Sequence, residues 1–456
     1  MSLTDRVKQA LGGPFMRAVG ILVGGTVVAQ AILAATLPVA TRLYTPADFS
    51  TLAVFTGIIA ILSVGTCLRF DIAVPLPLKD EDGVAVVLLS LGIAAALNLV
   101  LFVAVALFST TLAGWLGHPE LAPYLWLAPV ATFLAGAYST LQFWFVRRKQ
   151  FGQLARNRVM QAAGSSATQI TLGVAGIAPL GLLLGQLANS GVGSIRLGWR
   201  LWRDEQATIG RVGRHDIARM ARQYDRFPKF STLEAMCNSA AVYLPIILLS
   251  AWAVGPEAGY LSLGMYAMQV PMSLIGNAVS QVYMSRGPEE ARAGTIGRFT
   301  TEVLSGLLKT GVGPIICIGV VAPELFRIVF GSEWTRAGVL VTWMAPWFIM
   351  QFLASPISLA LHIQNRLVEA FALQVFGLGL RAGAVVLAAA LPGAPLSEFY
   401  ALSGAVFYLV YLILILNIVE TDWKTTGLVA LRSLPFIASW LVLGVAASFV
   451  LARITF

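Results

Sequence analysis

The chain has 456 residues, of which 57% are hydrophobic and 12% are charged, and its formal net charge is +9. Soluble domains contain about 45–50% apolar and about 25% charged residues, so the composition excludes an ordinary soluble protein. Apolar runs of about twenty or more residues recur along the chain and indicate an all-α polytopic membrane protein. In such a protein a basic excess favours cytoplasmic loops over nucleic-acid binding, and no nucleic acid is expected as a partner.

The apolar runs predict about thirteen transmembrane helices. In chain order they cover residues 15–40, 49–74, 84–110, 121–146, 157–177, 178–200, 231–252, 257–284, 299–322, 337–361, 367–391, 397–419 and 427–452. With the N-terminus in the cytoplasm, 23 of the 31 Lys and Arg residues fall on the cytoplasmic side and 4 on the other. This bias predicts a cytoplasmic N-terminus and a periplasmic C-terminus.

A faint internal repeat suggests two related halves. Trp126-Leu127-Ala128-Pro129 recurs as Trp343-Met344-Ala345-Pro346, and the turn at Pro46 has a loose echo at Pro256. Parallel repeats of this kind place a substrate site at the interface of the halves. We therefore predict two parallel six-helix lobes around a central cavity, residues 1–200 and 230–420, plus an additional C-terminal helix at 421–456. Residues 201–229 would form a cytoplasmic linker lying on anionic headgroups.

Charged residues inside the predicted spans are candidates for function, because charge is costly at membrane depth. Lys309 and Arg381 lie deepest, and Arg381 stands between Gly379 and Gly383, which would let a neighbouring helix approach. Arg69 and Asp71 lie near the cytoplasmic end of the span 49–74, on different helix faces. Structural ion pairs or snorkelling remain the alternatives. Weaker candidates, nearer to the helix ends, are Arg42, Arg196, Glu234 and Glu369.

The deep groups are mostly basic, and this suits an anionic substrate such as a phosphate or diphosphate. Asp71 is the one deep acid and could serve as a charge partner or a coupling group. The three cysteines have no metal-ligand spacing, and no phosphate-binding loop or zinc motif occurs. We expect no cofactor, no metal and no enzymatic activity.

Several blocks resemble the bacterial polysaccharide biosynthesis (oligosaccharide flippase) family of the multidrug/oligosaccharidyl-lipid/polysaccharide flippase superfamily. The blocks are residues 41–49 (TRLYTPADF), 68–73 (LRFDIA), 224–230 (YDRFPKF) with Leu244-Pro245, 271–282 (PMSLIGNAVSQV), and 323–325 (PEL) with 330–334 (FGSEW) and Ala337-Gly338. The resemblance covers roughly residues 1–390 and leaves out the last helix. Arg69 falls within the family-like segment, whereas Asp71 replaces the more usual Glu, and Lys309 and Arg381 fall outside the matched motifs.

The resemblance implies transfer of undecaprenyl-diphosphate-linked oligosaccharides across the bacterial cytoplasmic (inner) membrane, through a cationic cavity between two lobes. Such a flippase would serve lipopolysaccharide, exopolysaccharide or capsule assembly, with membrane lipids around it. The sequence leaves open whether polysaccharide polymerase or chain-length proteins dock. The alternative is a cation-coupled multidrug exporter of the same superfamily, which would need a deep carboxylate. A membrane glycosyltransferase or polymerase would carry a substantial extramembrane loop, which the sequence does not show.

Overall fold

The computed structural model describes residues 14–454, and these are helical with no β-strand among them. Sixteen α-helices follow one another, and we number them in chain order. They are α1 Pro14–Leu43, α2 Pro46–Thr66, α3 Asp80–Trp115, α4 Leu127–Arg147, α5 Phe151–Val174, α6 Leu180–Arg211, α7 Arg214–Gln223, α8 Thr232–Trp252, α9 Glu257–Arg292, α10 Ile296–Leu307, α11 Gly313–Phe330, α12 Thr335–Ala354, α13 Ala360–Ile363, α14 Leu367–Ala390, α15 Leu396–Ile418 and α16 Trp423–Ile454.

Within the described residues, nine helical stretches are long and apolar enough to cross a membrane. The chain is therefore a multi-pass membrane protein, as its composition predicts. The exact number of about thirteen spans stays a prediction. The polar N-terminal segment, which we expect in the cytoplasm, lies mostly outside the described residues.

Two compact units divide the chain. The first contains residues 14–44 and Val54–Ser239, and the second contains Thr45–Ala53 and residues 240–454. The helix α2 therefore begins in the second unit and continues in the first.

Polar residues define where the helices start. At α2, the Thr45 hydroxyl accepts a hydrogen bond from the Asp48 amide at 3.3 Å, and Asp48 Oδ2 accepts one from the Thr45 amide at 2.8 Å. This reciprocal pair is a capping box, which satisfies two amides that the helix leaves free. At α16, Asp422 accepts hydrogen bonds from the amides of Lys424 and Thr425 and caps the last helix in the same way.

The second unit is packed closely around the start of α9. A methyl group added at Gly259 would lie 2.1 Å from the carbonyl oxygen of Pro46. The helix starts that echo each other in sequence, at Pro46 and Pro256, therefore contact one another here. Phe49 packs edge-on against Trp334 at a centroid distance of 4.9 Å, and Trp334 is 1% exposed. The absence of a side chain at Gly259 thus allows the two backbones to touch, and the rings of Phe49 and Trp334 fill the space beside them.

The C-terminal helix α16 packs on α11 through small residues. A methyl group at Gly313 would lie 2.3 Å from Trp440, and one at Gly444 would lie 3.1 Å from Cys317. Close helix approach at glycine is the usual means of association in lipid. The rest of α16 leaves many large apolar side chains exposed, as expected of a helix that faces acyl chains.

The structure corrects two predicted boundaries. The helix predicted at 49–74 ends at Thr66, and Arg69 and Asp71 lie beyond it. The predicted linker 201–229 is mostly helical, because α6 continues to Arg211 and α7 follows directly. Hydropathy falls at Leu201, but an amphipathic helix needs only one apolar face, so a polar composition does not end it.

Candidate functional site

Arg69 and Asp71 lie on a tight turn that follows α2 in the first unit. Leu68 and Arg69 adopt left-handed backbone conformations, with φ of 47° and 60°, and a short 3₁₀-helix covers Phe70–Ala73. Non-glycine residues enter this region at a cost of about 1–2 kcal/mol each, so surrounding contacts must hold them there. The turn thus fixes the position of both charged side chains.

Side chains of α4 hold this turn. Ser139 donates a hydrogen bond of 2.5 Å to Asp71 Oδ2, and Cys67 Sγ lies 3.4 Å from the Thr140 hydroxyl. A methyl group at Gly136 would lie 2.7 Å from Thr66, so only glycine admits the end of α2 here. These polar partners explain why the helix stops at Thr66 although the apolar run continues.

Neither charge on the turn is neutralised by the other. Arg69 is half-buried and Asp71 is 5% exposed. Within residues 14–454, Arg69 Nε and Asp71 Oδ1 are buried and have no hydrogen-bond partner. A buried polar atom without a partner costs about 1–3 kcal/mol, and such atoms are uncommon in folded proteins. Arg69 therefore retains hydrogen-bonding capacity that an anionic ligand could use.

A cluster of ion pairs lies at the start of α3, in the same unit. Arg147 contacts Asp80 at 3.0 Å and also donates to the backbone carbonyls of Pro75, Pro77, Leu78 and Lys79. Arg148 contacts Asp80 at 2.8 Å and also pairs with Glu205. The hydrogen bond with Glu205 raises the pKa of Arg148. This cluster provides donors to four backbone carbonyls of the loop before α3.

The helix α7 joins the same cluster. Arg219 contacts Asp82 at 2.6 Å, and Arg211 lies 3.7 Å from Glu81. Part of the basic segment that we predicted to lie on headgroups is thus paired with carboxylates of the first unit. Exposed pairs of this kind contribute about 0–1 kcal/mol each, so they orient the helix more than they stabilise it.

Lys309 lies in the second unit, in the π-helical segment Leu308–Val312 between α10 and α11. Its side chain is exposed. A methyl group at Gly311 would lie 2.1 Å from the Phe352 ring, so this segment packs tightly against α12. Single π-helical turns occur often at functional sites.

Arg381 is 2% exposed and lies inside the second unit. Its guanidinium carbon is 4.3 Å from the centroid of the Phe407 ring, and its Nε donates to the Gly377 carbonyl at 3.3 Å. The hydroxyl groups of Tyr400 and Tyr408 interact with it electrostatically. The Arg381 charge is thus stabilised by an aromatic face and by phenol oxygens, and no carboxylate among the described residues pairs with it.

The glycines flanking Arg381 do not have the role we predicted. A methyl group at Gly379 or Gly383 would meet nothing within 4 Å, whereas one at Gly377 would lie 2.4 Å from Phe407. The close approach is made by the Phe407 ring at Gly377, one helical turn before Arg381. At this position the ring lies beneath the Arg381 guanidinium.

The weaker candidates are dispersed. Arg42 is exposed at the end of α1, and Glu234 is exposed in the first turn of α8. Arg196 is half-buried and directs a guanidinium nitrogen at the Met160 sulfur. Glu369 pairs with Arg366 at 2.7 Å.

Sequence reasoning missed an ion-pair cluster that joins the starts of three helices in the second unit. Arg336 on α12 binds Glu257 on α9 through two hydrogen bonds of 3.0 and 3.1 Å, and contacts Glu398 on α15 at 2.8 Å. Ser397 donates a further hydrogen bond of 2.5 Å to Glu257. The signal available in the sequence was that all three loops were predicted on the same side of the membrane.

Sequence reasoning also missed a cavity of about 290 Å³ in the second unit, between α9 and the end of α12. Its polar side chains are Gln269, Ser280, Gln351 and Ser355. Within residues 14–454, no group of three or more His, Cys, Asp or Glu side chains could hold a metal ion.

Comparison with known proteins places this fold. The structure is similar to the lipid II flippase MurJ in an inward closed conformation, with a TM-score of 0.69 and 12% identity over 97% of this chain and 98% of MurJ. It is similar to the eukaryotic MATE transporter AtDTX14, with a TM-score of 0.55 and 14% identity over 92% of this chain and 99% of that one.

A third similar structure is a MOP-superfamily transporter from Pyrococcus furiosus whose binding pocket has reversed polarity. Its TM-score is 0.52, and its identity is 13% over 89% of this chain and 96% of that one. These likenesses establish a fold shared with these transporters and with MurJ. Among curated proteins, none matches the sequence significantly.

The sequence profile of one family extends over most of the chain. It matches residues 39–338 and is described as polysaccharide biosynthesis protein. The matched region includes the turn at Arg69 and the π-helical segment at Lys309. The chain belongs to the polysaccharide biosynthesis protein family, and its fold is that of the MOP superfamily.

Proposed function

We propose that the protein is a flippase that moves a polyprenyl-diphosphate-linked oligosaccharide across the bacterial cytoplasmic membrane. The glycan would serve lipopolysaccharide, exopolysaccharide or capsule assembly. The two lobes, residues 1–200 and 230–420, would move against each other in alternating access, with residues 201–229 between them and 421–456 as an additional helix. The N-terminus lies in the cytoplasm and the C-terminus in the periplasm in this proposal.

The observation that carries the proposal is the unpaired guanidinium of Arg69. Its Nε is buried without a partner among the described residues, and its backbone is held in a left-handed conformation. Hydrogen bonds to a charged group contribute about 1.5–3 kcal/mol each, and a diphosphate offers several acceptor oxygens. Asp71 is held by Ser139 and forms no ion pair with Arg69, so the Arg69 charge is not neutralised by this carboxylate.

Lys309 and Arg381 have different roles in this proposal. Lys309 is exposed and would contact the diphosphate directly as a point charge. Arg381 is 2% exposed and bound to Phe407, so it would contribute positive potential rather than a direct contact. A membrane potential that is negative inside favours outward movement of each negative charge by about 2.3 kcal/mol per 100 mV.

Ion pairs between loops support the proposed topology. Within the first unit, Asp80, Arg148 and Glu205 lie on three different loops or helix ends, all predicted to be cytoplasmic. Within the second unit, Glu257, Arg336 and Glu398 all belong to the predicted periplasmic side. An error of one span between them would place direct partners on opposite faces of the membrane.

The test is complementation in a host that lacks the gene, with surface polysaccharide and the leaflet location of its lipid-linked precursor as readouts. Arg69→Gln is expected to reduce export at least tenfold, because about 1.5–3 kcal/mol of diphosphate binding is lost. The pair Lys309→Gln and Arg381→Gln is expected to abolish export. The matched control is Arg222→Gln, on the exposed face of α7. Normal export from the gene deletion, with no precursor trapped inside, would disprove the proposal.

A cation-coupled multidrug exporter is the second candidate, and the observation that favours it is the buried Asp71 oxygen without a partner. A carboxylate oxygen in such a position could contact a cationic substrate. Expression would then raise resistance to cationic dyes, and Asp71→Asn would remove that resistance. Unchanged dye resistance, together with loss of surface glycan in the deletion strain, would reject this candidate.

A further inference from the structure

The cavity in the second unit contains polar groups that the proposed function does not yet use. It has a volume of about 290 Å³ and is lined by Gln269, Met272 and Ser280 of α9 and by Gln351, Ser355 and Pro356 at the end of α12. None of its lining residues carries a charge. Ligand pockets usually range from about 300 to 1,000 Å³, so this cavity has room for one ring-sized group.

The two glutamines of the cavity lack protein partners. Gln269 is exposed and Gln351 is half-buried. No hydrogen bond joins either side-chain amide to any of residues 14–454. An amide at membrane depth without a partner is unfavourable by several kcal/mol. Both side chains therefore require a partner from outside the protein, either water or a ligand.

Both glutamines lie well inside their helices. At about 1.5 Å per residue, Gln269 lies roughly 18 Å from the start of α9, and Gln351 lies roughly 24 Å from the start of α12. The helix α12 belongs to a stretch that is long and apolar enough to cross a membrane, so Gln351 is an amide within such a stretch. Ser280 donates to the Pro356 carbonyl at 3.5 Å, where a proline has already interrupted the helical hydrogen bonds.

The chemistry of the cavity selects an uncharged, hydroxyl-bearing ligand. Each glutamine amide both donates and accepts hydrogen bonds, and each serine hydroxyl does the same. The adjacent hydroxyl groups of a sugar ring also both donate and accept, so they need partners that offer donors and acceptors side by side. A diphosphate would instead need a cation, which the lining lacks, and an isoprenoid chain would leave both glutamine amides without partners.

We propose that this cavity binds an uncharged sugar residue of the transported lipid-linked glycan, with Gln269 and Gln351 as its principal ligands. The inference rests on the proposed function and adds a second subsite to it. In that proposal Lys309 contacts the diphosphate, whereas the cavity binds the first sugar units. The Gly311–Phe352 contact ties the segment that carries Lys309 to the helix that carries Gln351, so both subsites share α12 as their support.

The test compares the binding of three lipids to the full-length protein in nanodiscs by isothermal titration calorimetry. The lipids are undecaprenyl diphosphate without sugar, and the same lipid carrying N-acetylglucosamine or galactose. Wild type is expected to bind at least one glycosylated lipid about tenfold more tightly than the bare lipid. The double variant Gln269→Leu with Gln351→Leu is expected to lose that tenfold difference and to bind the bare lipid normally.

The controls separate folding and the proposed function from this inference. Gln281→Leu changes an exposed glutamine on the same helix outside the cavity and is expected to keep the preference. If the double variant does not bind the bare lipid, the single variant Gln351→Met is used in its place, because methionine retains the length of the side chain. Equal binding of all three lipids by wild type, or an undiminished preference in the variants, would overturn the sugar subsite. Failure of wild type to bind any of the three would contradict the flippase proposal itself.

Discussion

Replacing Arg336 by Gln should destabilise the second unit markedly. The guanidinium makes three charged hydrogen bonds, of 3.0, 3.1 and 2.8 Å, to Glu257 and Glu398. The two carboxylate side chains are only 18% and 10% exposed, so removal of the cation leaves two buried negative charges close together. Breaking a fully buried pair costs about 3–5 kcal/mol. Because the Arg336 side chain is 34% exposed, water recovers part of this, and we expect about 2–3 kcal/mol.

The measurement is thermal unfolding in detergent, followed by tryptophan fluorescence, for which the buried Trp334 is a local reporter. For a unit of about 220 residues, the expected loss corresponds to a Tm decrease of roughly 5–10 °C. Arg298→Gln, which removes an exposed pair of 3.9 Å, should change Tm by less than about 1 °C. Adding Glu257→Gln to Arg336→Gln should restore part of the loss. A Tm for Arg336→Gln equal to that of wild type would refute the assignment of this cluster as a joint between three helix starts.

Two further changes test the packing of each unit. Gly259→Ala should lower the free energy of unfolding by about 1–3 kcal/mol, because its methyl group would meet the rigid Pro46 carbonyl. The control is Gly379→Ala, whose methyl group would enter open space and which should be neutral in the same unfolding assay. Equal Tm values for the two variants would reject the close contact at Gly259. Arg147→Gln should speed hydrogen exchange of the backbone amides in residues 75–80, because it removes the donors that bind the carbonyls of this loop. Unchanged exchange, measured by mass spectrometry, would show that Arg147 is dispensable for the loop.

The sequence is sufficient to predict the class of the fold. Long apolar runs can form only helices in lipid, and the described residues are helical. The helix predicted to begin at residue 49 begins three residues earlier, at Pro46, because Thr45 and Asp48 form a capping box there. The family resemblance drawn from the block 41–49 and the later blocks is confirmed by the match over residues 39–338.

The local geometry of the site is not predictable in this way. The run around Cys67 gives only a weak turn signal, because an isolated glycine such as Gly65 is tolerated inside a helix and Leu68 is an ordinary helix former. The turn forms because α4 offers Ser139 and Gly136 at the right places, and these are tertiary contacts. Gln351 is hidden for a related reason. A single amide hardly changes the hydropathy of a long apolar run, although it can determine what a cavity binds.

The π-helical segment Leu308–Val312 has a consequence for how this region is compared with related sequences. Such a segment holds one residue more than an α-helical turn, so the helix beyond it is rotated by about 100° relative to an uninterrupted one. A helical wheel drawn across Ile296–Leu307 and Gly313–Phe330 as one helix would therefore mix two faces. A relative that lacks the extra residue needs a one-residue gap in its alignment here. Deleting one residue at this point would rotate α11 about its axis relative to Lys309, so that a different face of α11 would lie on the side of Lys309.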